Sequence, residues 1–232
     1  CAAAAAVPAP APVQHCQQGG GMSAPTLAEA SSHMVTASGN EVDLRYPRTN
    51  CITLADISHH LAQINRFTGA CRRPYSVAEH SLLVLDICQR TMHMDVHGWM
   101  AALMHDAHEA YTNDVSTPAK AEAGEGWAQF EGRLERTVRA AFGLHTASHR
   151  WAVQVKHADL IALATERAQL LPPTPTLWPC LVHVQPASWV DLMAPERCAM
   201  TWADWRQQFA DQADALDFGR NDALSRKHGV AL

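Results

Sequence analysis

Residues 102–120 read ALMHDAHEAYTNDVSTPAK and place an adjacent histidine and aspartate, His105 and Asp106, within a run of apolar side chains. The apolar residues around this pair recur at helical spacing, which predicts a helix over residues 97–111. An ionised carboxylate that faces a hydrophobic core is costly unless a cation or hydrogen-bond donors compensate its charge. The pair therefore indicates either a buried ion-pair network or a metal site.

Two more segments carry ligand-type side chains among aliphatic residues. In YSVAEHS, Ser76 and Glu79 have the spacing of a capping box, so we expect a helix that begins at Ser76 and carries His80 in its first turns. In KHADLIALATER, Asp159 lies within a helix predicted over residues 149–170, which a proline-rich stretch stops.

These three predicted helices, if they converge, bring together two imidazoles and two carboxylates. Such a set suits one divalent ion with open coordination positions, such as Mn²⁺, Co²⁺, Ni²⁺ or Fe²⁺, and it is also compatible with Mg²⁺ or Zn²⁺. The ligand types alone do not identify the ion. The predicted metal ligands are His80, His105, Asp106 and Asp159.

Further segments repeat apolar residues at the same helical spacing, and Gly143 follows one of them in the position of a left-handed cap. Together with the helices above, they predict an all-α bundle of about six or seven helices. The additional helices are expected over residues 54–64, 127–142 and 202–216.

The chain divides into one domain with two tails. Residues 1–35 are rich in Ala, Pro, Gln and Gly without hydrophobic periodicity, which predicts disorder because they bury too little apolar surface. Residues 36–220 are long enough for one substantial domain, and residues 221–232 are expected to form a polar tail.

Composition makes several classes of partner unfavourable. The net charge is −5 and the basic residues form no stripe, so no nucleic acid polymer is expected as a partner. The seven cysteines lack CxxC pairing, which favours reduced thiols in a cytoplasmic protein. No apolar run reaches the roughly 20 residues that cross a bilayer, so no membrane partner is expected.

The order His80, then His105-Asp106, then Asp159 resembles that of the HD-domain metal-dependent phosphohydrolases. The resemblance covers about residues 40–170 and is closest to the bacterial and phage branch that acts on deoxynucleoside 5′-monophosphates. In that branch the motif continues as HDxxExxxxD, a proline and a lysine. This chain carries the extension as Glu109, Asp114, Pro118 and Lys120.

The resemblance also implies roles for individual residues. Glu109 would orient or deprotonate the attacking water, and its position four residues after His105 puts it on the same face of the predicted helix. Asp114 would take part in catalysis or hold the sugar. Arg66-Phe67 matches an Arg-aromatic pair that meets phosphate and base or sugar, with Phe in place of the Trp of some relatives. The candidate substrate-binding residues are Arg66, Phe67, Arg72, Arg73, Thr117 and Lys120.

The function that the resemblance implies is metal-dependent removal of the 5′-phosphate from deoxynucleoside monophosphates, in a family whose members often form homodimers. Two alternatives remain open at this point. A deoxynucleoside triphosphohydrolase that releases triphosphate uses the same ligand set. A non-catalytic regulatory protein that binds nucleotides would keep the scaffold without its chemistry.

Overall fold

The computed structural model describes residues 32–228, without the side chains of residue 218 and residues 220–228. Over this range the fold is all-α, as predicted, with one small hairpin that the sequence did not predict. Six of its helices have at least eight residues and three are shorter. The helices are α1 (Leu54–Gln63), α2 (Val77–Thr91), α3 (Val96–Leu103), α4 (Glu109–Thr112), α5 (Thr117–Ala141), α6 (His145–Arg150), α7 (Ala152–Gln169), α8 (Pro195–Ala199) and α9 (Trp202–His228).

The hairpin precedes the helices. Strands β1 (His33–Val35) and β2 (Glu41–Asp43) pair antiparallel, with Met34 opposite Val42. Disorder was predicted for residues 1–35. Residues 1–31 of this segment lie outside the described range, and its last three residues form β1. At the other end, the predicted polar tail is helical up to His228 as part of α9.

Side chains cap the starts of α1 and of α2, the helix that carries His80. The Ser76 hydroxyl accepts a hydrogen bond from the Glu79 amide and so begins α2 where the sequence predicts. Thr53 does the same for the Asp56 amide at the start of α1. Glu79 does not reach back to its own helix end, because its carboxylate binds Arg73 and Arg197 instead.

Two predicted helices are interrupted in the structure. The helix expected over residues 97–111 ends at Leu103, and tight turns with i to i+3 hydrogen bonds carry the chain through residues 104–108 before α4. His105 and Asp106 therefore lie in a turn and not within a helix. The helix expected over residues 149–170 is divided at Trp151 into α6 and α7. Apolar spacing continues across both breaks, so periodicity did not predict them.

Helix α5 differs from its prediction at the opposite end. It begins ten residues earlier than expected, at Thr117, because Pro118 is tolerated in the first turn, where an amide hydrogen is not needed. Gly124 interrupts it with a positive φ of 69°, a conformation that favours glycine. Gly143, with φ 62°, follows its end as predicted.

Two clusters of buried apolar side chains form the core. One joins α1, α3 and α9, with Phe209 of α9 completely buried. The other lies between α2 and α7 and includes Val84 and Ala158. Since α2 contributes to both clusters, it is held from two sides, and His80 in its first turns has a fixed position.

The cysteines differ in state. Cys71, Cys88, Cys180 and Cys198 are free thiols, as predicted, whereas Cys51 is disulfide-bonded, which corrects the expectation that every thiol is reduced. None of the helices in residues 32–228 combines the length and the apolarity that crossing a bilayer requires.

Candidate metal centre

The imidazole of His80 is completely buried and is fixed through its Nδ1 atom. Nδ1 lies 2.6 Å from Glu166 Oε1, and this carboxylate also accepts a hydrogen bond of 2.9 Å from the Tyr75 hydroxyl. Arg66 lies 3.3 Å from the other oxygen of Glu166. The Glu166 carboxylate therefore orients His80 and is itself held by two neighbours.

The Nε2 atom of His80 faces the other three predicted ligands. It lies 3.3 Å from His105 Nε2, 3.5 Å from Asp106 Oδ2 and 3.4 Å from Asp159 Oδ1. Asp106 Oδ2 also lies 3.1 Å from His105 Nε2. Ligand atoms of His80, His105 and Asp159 lie within 4.8 Å of one another. The four side chains, from α2, the α3–α4 turn and α7, thus converge as the sequence predicts.

The hydrogen-bond partners of the two imidazoles indicate that a cation fits between them. His105 Nδ1 lies 2.8 Å from the Ala102 carbonyl oxygen, and His80 Nδ1 lies against Glu166, so each Nδ1 donates its hydrogen to an oxygen. In the neutral imidazole the Nε2 atom then carries only a lone pair. Two lone pairs 3.3 Å apart repel each other unless a proton or a cation lies between them. An imidazole whose second nitrogen is tied to an oxygen acceptor is the usual arrangement of a metal-binding histidine. The residues present therefore fit a metal ion.

The charged groups around the centre also shift the pKa values of its side chains. Burial disfavours the charged form of His80, but Glu166, Asp106 and Asp159 outweigh it and raise the pKa of the imidazole well above its usual value. Burial works against ionisation of Asp106 as well, yet His105 and His80 lower the pKa of its carboxyl. For Asp159, burial is again outweighed by His80, and the pKa is lowered. Both acids are thus ionised and available as ligands.

Arg66 lies beside this centre, between Asp106 and Glu166. Its guanidinium is 3.7 Å from Asp106 Oδ2 and 5.3 Å from the centre of the Phe67 ring. Phe67 and Thr68 both have positive φ, 55° and 54°, which is rare for residues with a side chain and clusters at functional sites. The structure therefore places Arg66 at the predicted metal ligands, whereas the Phe67 ring lies beside Arg66 and 6.5 Å from the Trp178 ring.

Glu109 is buried close to the centre, although it lies on α4 and not on the helix that was expected to continue from His105. Burial, together with the charges of Asp106 and Asp114, raises the pKa of the Glu109 carboxyl to about 10. Lys120 Nζ lies 3.9 Å from Glu109 Oε1. Asp114 lies close enough for its charge to raise the pKa of both Glu109 and Arg66.

Lys120 belongs mainly to a second cluster beside the first. Its Nζ atom is 2.5 Å from Glu131 Oε1, and His108 Nε2 is 3.5 Å from the same oxygen. Ligand atoms of His108, Glu109 and Glu131 lie within 4.8 Å of one another. Because the Lys120 ammonium already neutralises Glu131, this cluster has a cation of its own.

Three of the predicted substrate-binding residues lie elsewhere. Arg73 is engaged by the Glu79 carboxylate and the Leu192 carbonyl oxygen, so it serves the packing of α2. Arg72 lines a cavity to which no metal-centre residue contributes among those described. Thr117 is exposed at the start of α5, and no described contact links it to the centre. These three residues do not join the centre.

Of the neighbouring histidines of α1, His59 and His60, the second is held by backbone groups. His60 Nδ1 lies 2.8 Å from the Ala110 carbonyl oxygen, and His60 Nε2 accepts from the Ala37 amide at 3.1 Å. Both nitrogens of His60 are therefore engaged by backbone groups of the protein.

Glu166 and Glu131 are the residues that sequence reasoning missed. Glu166 follows Asp159 by seven residues, two helical turns, so it lies on the same face of α7, and that spacing could have identified it. Glu131 lies within α5, beyond the motif that ends at Lys120, and no local pattern distinguishes it from a surface acid. Only the packing of α5 against α4 brings Glu131 to His108.

Two relatives are similar to this chain over most of their own length. An uncharacterized protein of Rhodobacter capsulatus is 36% identical over 137 residues, which are 57% of this chain and 70% of that protein. The uncharacterized protein YfdR of Escherichia coli is 31% identical over 163 residues, 70% of this chain and 85% of YfdR. No family model matches the sequence. At this identity and coverage, the chain belongs to the protein family of YfdR and its Rhodobacter capsulatus relative.

Proposed function

We propose that this protein is a divalent-metal-dependent phosphohydrolase that removes the 5′-phosphate of deoxynucleoside monophosphates. The observation that carries the proposal is the convergence of His80 Nε2 with His105, Asp106 and Asp159 at 3.3–3.5 Å. Support for the nucleotide as substrate comes from the resemblance of the sequence to the HD-domain phosphohydrolases, whose motif extension this chain carries through Lys120.

The ligand set favours one ion of the Mn²⁺, Co²⁺, Ni²⁺ or Fe²⁺ type, with Mg²⁺ or Zn²⁺ as alternatives. When bound, such an ion lowers the pKa of water enough to supply a nucleophile near neutral pH and screens the charge on phosphoryl oxygens. His80, His105, Asp106 and Asp159 would hold the ion, and four protein ligands on a six-coordinate ion would leave positions for water and substrate, which hydrolysis requires.

The protein's own residues would bind the substrate and move protons. Arg66 is held at the centre by Asp106 and Glu166, where its guanidinium can donate to a phosphate oxygen. Phe67, next along the chain, presents a ring to the sugar or the base. Burial and the charges of Asp106 and Asp114 raise the pKa of Glu109 to about 10, which favours its protonated form and argues against the expected deprotonation of the attacking water. The protonated carboxyl would instead orient that water by a hydrogen bond or donate a proton to the leaving 5′-oxygen.

A phosphate-release screen tests the proposal. The full-length protein is assayed against each deoxynucleoside monophosphate with Co²⁺ or Mn²⁺, beside Asp106→Ala and the control Asp211→Ala, an exposed carboxylate on α9. We expect release by the wild type and the control, and a rate at least about 100-fold lower in Asp106→Ala, since it lacks a ligand. Absence of release from every monophosphate would overturn the proposal.

Product analysis separates the alternatives. Chromatography of reactions with deoxynucleoside triphosphates would detect tripolyphosphate if the protein were a triphosphohydrolase. Nucleotide binding without turnover, unchanged in Glu109→Ala, would instead identify a regulatory protein that does not catalyse. In our proposal, Glu109→Ala binds nucleotide but releases phosphate slowly.

A further inference from the structure

Helix α7 lines a cavity with the face opposite to the one that contributes to the candidate metal centre. Asp159 and Glu166, seven residues apart, point toward His80. Ala164 and Ala168 lie roughly half a turn around the helix from Glu166 and line a cavity of about 400 Å³. The body of the helix therefore separates this cavity from the metal centre.

The lining of this cavity combines positive charge with apolar side chains. Two arginines, Arg72 and Arg167, contribute to it, and among its described lining residues none is acidic. The remaining walls come from α7 and from the irregular segment that follows it. They include Leu171, Pro172, Pro173, Leu181, Val184 and Pro186.

The two arginines differ in how they are held. Arg167 is fixed, because it donates to the Thr176 carbonyl oxygen and stacks on the Trp178 ring at 4.8 Å. The Arg72 backbone is anchored by a 2.9 Å hydrogen bond from its amide to the Leu170 carbonyl oxygen. Within the part of the chain that the structure describes, the Arg72 guanidinium itself has no hydrogen-bond or ion-pair partner.

We propose that this cavity is a second ligand site, which binds a small organic phosphate. Two guanidinium groups, with no carboxylate among the described residues of the lining, match the charge and the bidentate geometry of a phosphate monoester. The proline and leucine walls suit an apolar or aromatic body attached to that phosphate, and the cavity volume is in the range of small-molecule sites. The proposal does not depend on the hydrolytic function, since none of the metal ligands lines the cavity.

Calorimetric titration with phenyl phosphate tests this site apart from catalysis. The full-length protein is titrated in EDTA, so that no ion recruits phosphate to the metal centre, and Asp106→Ala is titrated in parallel. We expect both proteins to bind with the same Kd. We expect Arg72→Gln to weaken binding about tenfold, through loss of one charge-assisted contact. The matched control is Arg90→Gln, whose exposed side chain pairs with Asp86 on α2; it should bind like the wild type.

A second variant avoids dependence on any arginine. Val184→Glu places a carboxylate in the cavity wall and should abolish binding by charge repulsion, whereas Val184→Leu should retain it. The proposal is overturned if the wild type gives no binding heat, or if Arg72→Gln and Val184→Glu bind with unchanged Kd. Benzoate that binds as tightly as phenyl phosphate would also overturn the assignment to phosphate.

Discussion

The orientation of one imidazole depends on a residue that is not itself a predicted metal ligand. Glu166 lies 2.6 Å from His80 Nδ1, is completely buried and receives a second hydrogen bond from Tyr75. Burial would raise the pKa of its carboxyl, but Arg66 and His80 outweigh burial and lower it. The negative charge of Glu166 therefore makes the His80 Nε2 lone pair a better ligand.

We predict that Glu166→Gln lowers the affinity for Mn²⁺ or Co²⁺ about ten- to 100-fold, because the amide keeps the volume but loses the charge. Calorimetric metal titration measures the effect, and circular dichroism checks that the variant is folded. The control is Glu135→Gln, a partly exposed partner of Arg139 on α5. Equal metal affinity in Glu166→Gln and the wild type would contradict this role.

The sequence predicted the four side chains that converge at the candidate metal centre but not the residues that support them. His80, His105, Asp106 and Asp159 each stand out as polar side chains among apolar neighbours. Arg73 was predicted to bind phosphate as well, but its guanidinium donates two hydrogen bonds to the buried Glu79 carboxylate. An arginine that binds a substrate and an arginine that pairs with a buried acid look the same in the sequence. Only the packing of the folded chain distinguishes them.

At the scale of elements, one acid joins the hairpin loop to the first helix. Asp56 accepts hydrogen bonds from the Thr53 hydroxyl and from the Ser38 amide and hydroxyl, each at 2.8 Å. Burial raises the pKa of its carboxyl, but these hydrogen bonds more than compensate and the pKa is lowered. The ionised form is thus the one that holds the loop on α1.

We predict that Asp56→Asn lowers the free energy of unfolding by about 2 kcal/mol at pH 7, the usual contribution of hydrogen bonds to a charged group. Because the folded-state pKa lies below the unfolded value of about 3.9, the stabilisation is complete above that pH and is lost as the pH falls through the folded-state pKa. Urea unfolding from pH 7 to pH 3 should show the difference between variant and wild type shrinking. Asp211→Asn, on the exposed surface of α9, should show little difference at either pH.

Two helical glycines allow a matched test of helix packing. A Cβ atom on Gly98 of α3 would lie 2.8 Å from Met94 Cε and 2.9 Å from the Trp151 ring, whereas a Cβ on Gly126 of α5 meets nothing within 4 Å. We predict that Gly98→Ala destabilises the protein by about 1–3 kcal/mol through overpacking. Gly126→Ala should stabilise it by about 0.5–1 kcal/mol through helix propensity. Thermal unfolding of both variants measures the signs, and a stabilised Gly98→Ala would contradict the close approach of α3 to Trp151.

For the whole molecule, the last helix completes the core that the first helices begin. Phe209 of α9 is completely buried in the cluster that α1 and α3 share. We predict that Phe209→Ala lowers the free energy of unfolding by about 3–5 kcal/mol, the cost of a large cavity in a packed core. Urea unfolding measures the loss, and Leu177→Ala, at a side chain that is 81% exposed, is the control. A small loss in Phe209→Ala would mean that α9 is not part of the cooperative core.

The sequence alone determined the all-α class, the start of α2 at Ser76 and the four side chains that converge, because helical periodicity, capping and isolated polar residues are local signals. Tertiary structure alone decided that the chain turns at residues 104–108, that Glu166 and Lys120 find their partners, and that Arg72 faces a separate cavity. The physical reason is that a pattern of apolar residues indicates which face of a helix is buried. It does not indicate which distant charge will be buried against that face.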